Sequence, residues 1–365
     1  MNIITYFSEF YLLIKEAIDQ VLITKPIDNR NTVLERKSSV LSLFDLIIAA
    51  RFPATIAPPT PRSKRIIVKS NANGSSISYI MIMNMYEVNK IVDIFLKYQI
   101  STEKDTSSYF IRPMEGGITN TSFIVTVNNS TYVIRIPGNN PDVINRKAEK
   151  YNMEKAEELG ITLPSLVFDD DSGIKISEYF DVYTYSQSDF QDNTMRENAL
   201  KKLKELHESN VIFEENFSPL TVFRNIADES SNIELEAKEA GEKIIAKLID
   251  IGIESRPCHQ DLYHANFIIY KNDTLLIDWE YSSMGDIYFD YADLFWQNEF
   301  DQDLDLRKRT LEEIGVKSVE KIEKFEYFEM LSMITWGLWA MRRSPNSPDG
   351  KETLNKAIAL LENKN

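Results

Sequence analysis

An aspartate, an asparagine a few positions on and a second aspartate beyond a run of strand-forming residues lie within Cys258–Glu280, CHQDLYHANFIIYKNDTLLIDWE. His259, Asp261 and Asn266 spell H-x-D-x(4)-N, and Asp278 and Glu280 open a second polar cluster. These residue types suit phosphoryl transfer from ATP. One carboxylate, Asp261, would orient and deprotonate an attacking hydroxyl, while an amide and a carboxylate, Asn266 and Asp278, would hold Mg²⁺ against the phosphates. Taken singly, each is as well explained as a loop residue capping a turn. The spacing of the whole set carries the reading.

Local structure must bring the two clusters together. Phe267–Tyr270 and Thr274–Ile277 are β-formers flanking a Lys-Asn-Asp turn, the pattern of a hairpin that returns Asp278 to Asn266. Upstream, Ser122–Val127 and Tyr132–Pro137 read as a second hairpin about Asn128-Asn129. The turn before it, Glu115–Asn120, carries Gly116 and Gly117, which let backbone approach phosphates, and Thr119 and Asn120, which would add side-chain donors. Arg135 lies on the next strand, and Glu149 sits within a helix expected over Asp142–Leu159. A strand cation paired to a helix carboxylate is how a kinase fixes the charge that grips nucleotide phosphates. Pro164–Asp169 and Ile174–Tyr179 form a further strand pair, after which Glu178 and Phe180 stand where a chain crossing between lobes offers backbone groups to an adenine.

Residues 181–200 read as a polar connection, followed by helices over Asn198–Ser209, Glu234–Ile251, Asp303–Ile314 and Phe325–Arg343. Asp290 is expected to cap the helix that starts near it and to hydrogen-bond back to the catalytic loop. In the last helix Trp336 and Trp339 stand at i, i+3 and share a face. Such a pair serves core packing, or it walls a box for a quaternary ammonium.

The chain has 365 residues, 43% of them hydrophobic, enough for two domains or a two-lobed enzyme. A single cysteine excludes a disulfide framework, and three histidines without HExxH spacing argue against a dedicated zinc site. The net charge of −15 argues against sequence-independent nucleic-acid binding and favours a cationic small substrate. The N-terminus lacks a signal-peptide pattern, and no uninterrupted apolar run approaches the roughly 18 residues of a membrane-spanning helix. A cytoplasmic protein without membrane insertion is the expectation. Its oligomeric state is open, a dimer being one option.

Residues 1–104 form an N-terminal α/β extension of unassigned role. Helices are expected over Tyr6–Leu22, Val33–Ala50 and Glu87–Tyr98, a Pro-rich break over Phe52–Pro61, and strands Arg65–Lys69 and Ser76–Met83 about an Asn-Ala-Asn-Gly turn. Its basic PRSKR run is a solvated loop, or else the one feature on which nucleic-acid binding would rest.

With EGGITNTSF, YVIRIPG, INRKAEKYN, LKELH, CHQDLYHAN, LLIDWEYSSMGDIYFDYADLF and WGLW collected, the chain resembles the choline/ethanolamine kinase family of bacterial type. That family lies within the aminoglycoside-phosphotransferase-like kinases. The resemblance spans roughly 108–345. It implies an α+β, two-lobed, protein-kinase-like fold: an antiparallel-sheet N-lobe over 105–180 and a mainly helical C-lobe over 181–365. It implies ATP and Mg²⁺ as cofactors, Asp261 as base, Asn266 and Asp278 as metal ligands, and Arg135 with Glu149 as the phosphate grip. It places Glu280, Tyr281, Trp336 and Trp339 at the pocket for choline or ethanolamine. Asn145 and Gln297 depart from the pattern, standing where relatives often carry Asp and Glu. Runners-up are ethanolamine, another amino alcohol, thiamine or an aminoglycoside as acceptor, and a non-catalytic nucleotide-binding regulator.

Overall fold

The computed structural model describes residues 64–72, 75–83, 85–114, 120–138, 144–214, 232–344 and 347–364, together with 218, 220 and 223. Contacts divide the chain into two compact units at Glu87/Val88. In the first, β1 (Lys64–Ala72) pairs antiparallel with β2 (Ser75–Met83), closing at Ala72↔Ser75 about the anticipated turn. The helices expected over Tyr6–Leu22 and Val33–Ala50, the Pro-rich break and most of the glycine turn, including Gly116, Gly117 and Thr119, lie outside the described residues.

The second unit is entered through α1 (Met85–Lys97), which buries Val88, Ile91, Val92 and Phe95 on one stripe. Phe95 sits edge-on to Tyr109 and Tyr132, with centroids 6.0 and 5.6 Å away. Five antiparallel strands follow: β3 (Phe110–Pro113), β4 (Asn120–Val127), β5 (Ser130–Pro137), β6 (Val167–Asp169) and β7 (Ile174–Glu178), in the order β3-β4-β5-β7-β6. Between β5 and β6 runs α2 (Arg146–Glu158). It starts later than the spacing suggests because Asn145 caps it, accepting the Lys147 and Ala148 amides at 3.1 and 3.3 Å. The departure at Asn145 is therefore neutral for the fold, since Asn and Asp cap equally well.

Glu178–Phe180 leads to β8 (Tyr183–Thr184), which pairs with Ile268 and Ile269 rather than with the first sheet. Residues 181–200 are more ordered than their polarity predicted. After β8 comes a short 3₁₀ turn over Gln187–Gln191 and then the start of α3 (Asn193–His207). Tyr185 and Phe190 anchor this stretch by burial against Phe267. The mainly helical second lobe continues with α4 (Asn232–Ile251), β9 (Arg256–Cys258), β10 (Phe267–Tyr270), β11 (Asp273–Leu276), β12 (Ser283–Gly285), α5 (Ile287–Gln297), α6 (Leu304–Glu313), α7 (Val319–Arg343) and α8 (Pro348–Glu362). Its core joins Phe289, Phe295, Phe325, Leu331 and Leu338. The glycine of WGLW has a packing reason. A Cβ on Gly337 would meet Leu354 of α8 at 2.8 Å and the Gly350 carbonyl at 3.3 Å, so only glycine lets these helices approach so closely.

Candidate active site

The hairpin does what its sequence requires. Register runs from Phe267↔Leu276 to Tyr270↔Asp273, and Lys271 and Asn272 turn the chain at φ 50° and 67°, the left-handed pair that hairpin twist favours. The Ile277 amide then donates to the Asn266 carbonyl at 2.9 Å, carrying the ladder up to Asp278. Asp278 itself sits at φ 66°, a conformation costly for a non-glycine residue and typical of functional turns. Asn266 Nδ2 donates to the backbone carbonyl and the Oδ2 of Asp261 at 2.9 and 3.1 Å, leaving its Oδ1 as the acceptor of that amide. The oxygens of Asn266, Asp278 and Asp261 form a hard donor set of the kind Mg²⁺ takes. Burial raises the Asp261 pKa well above the carboxylate range, and the negative charges of Asp293, Asp278 and Glu280 add to it. A dication beside it would oppose that rise.

His259 ties both clusters from beneath. Its Nε2 donates to the Ile277 carbonyl at 3.0 Å, and its Nδ1 accepts the Asp261 amide at 3.4 Å. Burial lowers its pKa, which keeps the ring neutral and fits a bracing role. Helix α5 supports the rest of the loop. Asp290 accepts the amides of His259 and Gln260 at 3.0 and 2.7 Å and is met by His207 Nε2 at 2.7 Å. It does not cap the helix. Asp286, extended at φ −88° and ψ 128°, takes that place and accepts the Tyr288 amide at 3.0 Å. One turn after Asp290, Asp293 accepts the Leu262 amide at 2.7 Å. Asn298 Nδ2 reaches the Leu262 carbonyl at 2.9 Å.

Asp293 also gathers Gln297 Nε2 at 2.7 Å, Ser332 Oγ at 2.6 Å and Trp336 Nε1 at 2.8 Å. Burial pushes its pKa up to about 7 against these donors. Gln297 and Trp336 are thus both tied to the aspartate that holds Leu262, next in sequence to Asp261. Trp336 nevertheless keeps an aromatic neighbourhood: Tyr281 meets it edge-on at 4.9 Å and Trp339 lies 5.9 Å away.

On the other side, Arg135 stands across from Ser122 and Lys175, so Arg135 and Lys175 project from one face. Arg135 Nη1 is 2.6 Å from Glu149 and 3.5 Å from Asp278. Burial opposes its charge, but Glu149 and Asp278 outweigh burial and raise its pKa. Among the described residues its Nε and Nη2, both buried, have no hydrogen-bond partner, two donors whose natural complement is an anion. Arg146 bonds Glu149 at 2.6 Å, Glu280 at 3.2 Å and Asn120 at 3.2 Å, and Asn120 bonds Glu280 at 3.0 Å. Glu178 is exposed at the end of β7, and Phe180 packs on Tyr270 at 5.0 Å. Both lie on the connection between the lobes.

A family model described as a phosphotransferase enzyme family matches residues 111–322, more than half of the chain. The chain belongs to that family. Among curated relatives, Protein LicA of Haemophilus influenzae is 31% identical over 186 residues, covering 48% of this chain and 55% of LicA. The chain thus spans about half the length of that relative. Among solved structures, the choline kinase LicA of Streptococcus pneumoniae is 25% identical with a TM-score of 0.64, over 76% of this chain and 99% of that one. An ethanolamine kinase of Plasmodium vivax shares the fold at TM-score 0.59 and 20% identity, over 74% of this chain and 86% of that one. The phosphotransferase's architecture is accordingly the two-lobed, kinase-like α+β fold.

Several residues of this site escaped the sequence reading: Arg146, Lys175, His207 as partner of Asp290, Asp293 and Asn298. Helical spacing held a signal for two of them. Arg146 is three before Glu149 and Asp293 three after Asp290, and each pair shares a face. Lys175 is betrayed only by strand pairing. Its Nζ rests on Met153 Sδ at 3.8 Å, and burial, then Arg135, lowers its pKa.

His207, Cys258 and Asp290 lie close enough to suggest a metal, but Asp290 is already engaged by three N–H donors. Burial, then the charge of Asp290, pushes the Cys258 thiol well above its usual pKa. Cys258, the sole cysteine, is therefore expected to be inert. Titration with a thiol reagent should find no reactive sulfur in the native protein and one after denaturation. Rapid native labelling would contradict this packing.

Proposed function

We propose that this phosphotransferase transfers the γ-phosphoryl group of ATP to the hydroxyl of choline, giving phosphocholine and ADP. The observation that carries the reading is the convergence of Asp261, Asn266 and Asp278 across one hairpin, with Arg135 presenting two unpartnered buried donors beside them. The likeness to the LicA proteins supports choline as acceptor.

Asp261 accepts a hydrogen bond from the substrate hydroxyl and takes its proton as that oxygen attacks the γ-phosphorus. The bond to the β–γ bridging oxygen breaks, and ADP leaves with the electron pair. Arg135 holds the nonreacting phosphates, and Glu149 fixes its guanidinium. Asn266 and Asp278 would hold Mg²⁺, which when bound offsets charge on the phosphate oxygens. Backbone groups of the Glu178–Phe180 connection would receive the adenine. A trimethylammonium donates no hydrogen bond, so aromatic faces must hold it. Tyr281, Trp336 and Trp339 are grouped to do so, at about 0.5–2 kcal/mol per face. In domain terms, 105–180 and 181–365 would form the catalytic lobes; the extension expected over 1–104 is cut shorter by contacts that place Val88 onward with those lobes. No helix among the described residues is long and apolar enough to cross a membrane.

A coupled ADP-release assay with Mg-ATP against choline, ethanolamine, thiamine and kanamycin tests this directly. Choline should give the highest kcat/KM. Turnover confined to ethanolamine would keep the mechanism and move the substrate. No turnover with any acceptor would overturn the reading.

A further inference from the structure

The position of Glu280 in the resemblance implies a partner for the substrate ammonium, yet its surroundings point elsewhere. The side chain is 3% exposed. Its Oε2 accepts Asn120 Nδ2 at 3.0 Å and Arg146 Nη1 at 3.2 Å. The same Arg146 nitrogen lies 2.6 Å from Glu149 Oε2, while Glu149 Oε1 lies 2.6 Å from Arg135 Nη1. Arg135 Nη1 then reaches Asp278 Oδ1 at 3.5 Å. Asp278 and Glu280 are separated by one residue, so these contacts close into a ring: Asp278, Arg135, Glu149, Arg146, Glu280, and back through the main chain.

The ring joins three pieces of structure, and Asn120 ties a fourth to it. Arg135 is on β5, Glu149 and Arg146 are on α2, Asp278 and Glu280 are on the loop after β11, and Asn120 opens β4 just after the glycine turn. Arg146 occupies its centre, with both terminal nitrogens spent on three partners. A planar guanidinium can make such a fork; an ammonium of similar reach makes it poorly. The printed polar partners of Glu280 are Asn120 and Arg146, which lead to Glu149 and Arg135. Within the ring two cations answer three carboxylates, and Lys175, on the same face as Arg135, feels all three of them.

We propose that Arg146 and Glu280 are positioning residues for nucleotide and metal: they clamp α2 and the start of β4 to the Asp278 loop, and Glu280 does not take the substrate's ammonium. This rests on the kinase reading above. The clamp holds Asp278 in its left-handed conformation and sets Arg135 facing it. It therefore fixes the distance between the two lobes across the phosphates. The ammonium end of the substrate is left to the aromatic group and to Asp261.

The test separates nucleotide from acceptor. Wild-type, E280Q, R146M and the double variant E280Q/R146M are compared for Mg-ATP affinity by equilibrium titration, and for KM of Mg-ATP and of choline by turnover. E280Q and R146M should each weaken Mg-ATP affinity and raise the Mg²⁺ concentration required by about 10–100-fold, with the choline KM within about twofold. The double variant should be no worse than its weaker parent, because both changes open one ring. R146K, keeping charge but losing the fork, should fall between wild type and R146M, and it serves if R146M does not fold. A choline KM raised by E280Q alone, with Mg-ATP affinity intact, would overturn the proposal and return Glu280 to the ammonium. If wild-type protein turns over no amino alcohol, the kinase reading fails. The titration still decides the clamp: unchanged Mg-ATP affinity in E280Q and R146M would sink it independently.

Discussion

Asp261→Asn should lower kcat by about 10²–10⁴-fold, the range that a positioned general base contributes, while Mg-ATP binding stays near wild type. Asparagine has the same shape and can still accept the substrate hydroxyl at its oxygen, but it cannot take the proton. Its neighbours predict a folded variant. Asn266 keeps its bond to the backbone carbonyl of residue 261 at 2.9 Å, and a carboxylate crowded by the charges of Asp293, Asp278 and Glu280 is removed. Thermal stability should therefore be equal or higher. The same crowding sets the sign of a pH effect. A base must be deprotonated to act, and burial with like charge raises its pKa. So kcat/KM should fall on the acid side, at a pH above that of an ordinary carboxylate, and excess Mg²⁺ should move that limb to lower pH. The comparison needs a steady-state assay, a melt and a nucleotide titration on one preparation. A variant retaining a tenth or more of wild-type kcat would remove Asp261 from the role of base.

The parts of this site that could be read from sequence are those set by local rules. The catalytic hairpin was legible because strand-formers flank an Asn-Asp turn, and register then follows from the turn. Arg135 and Glu149 were legible because a strand, a turn and a helix in succession place them face to face. What stayed hidden depends on contacts between distant segments. Arg146 looks like one more surface arginine in a charged helix until Glu280, far along the chain, is brought to it. Lys175 becomes a neighbour of Arg135 only once β7 pairs with β5. Residues 181–200 read as a connection because their polar residues dominate the composition, but Tyr185 and Phe190, buried on Phe267, decide their fold.

Gln297 and Trp336 show a subtler limit. Sequence position put both near a substrate, and in the structure both meet at Asp293 on α5. Their polar atoms are committed to Asp293, which in turn holds the Leu262 amide. A glutamate at position 297 would set a carboxylate against the Asp293 carboxylate at the same short distance, so the glutamine suits this arrangement. Trp336 presents its indole face while its N–H is anchored. An indole fixed in that way loses little freedom when a cation docks, which is what an aromatic wall requires.

The largest effect on stability should come from Asp290, which touches no reacting atom. Asp290→Ala removes the acceptor for three buried donors at once: the His259 and Gln260 amides and His207 Nε2. Each buried donor left unmatched costs about 1–3 kcal/mol, so the loss should be about 3 kcal/mol or more, a large share of a typical domain's 5–15 kcal/mol. The loop would suffer beyond the global figure. Gln260 sits at φ 66° with its side chain against Gly285, where a Cβ would come within 2.6 Å of Nε2. That strained turn is held in place by the two amide bonds to Asp290, and it aims Asp261 next in the chain. Asp290→Asn should be milder: it keeps one acceptor oxygen but turns an NH₂ toward a donor. His207→Ala should be milder again, because both loop amides keep their partner. Urea unfolding should rank the variants Asp290→Ala, Asp290→Asn, His207→Ala from least to most stable, and kcat should fall in the same order. If Asp290→Ala unfolds within about 1 kcal/mol of wild type, the bonds from α5 do not hold the catalytic loop, and some other contact must fix Asp261.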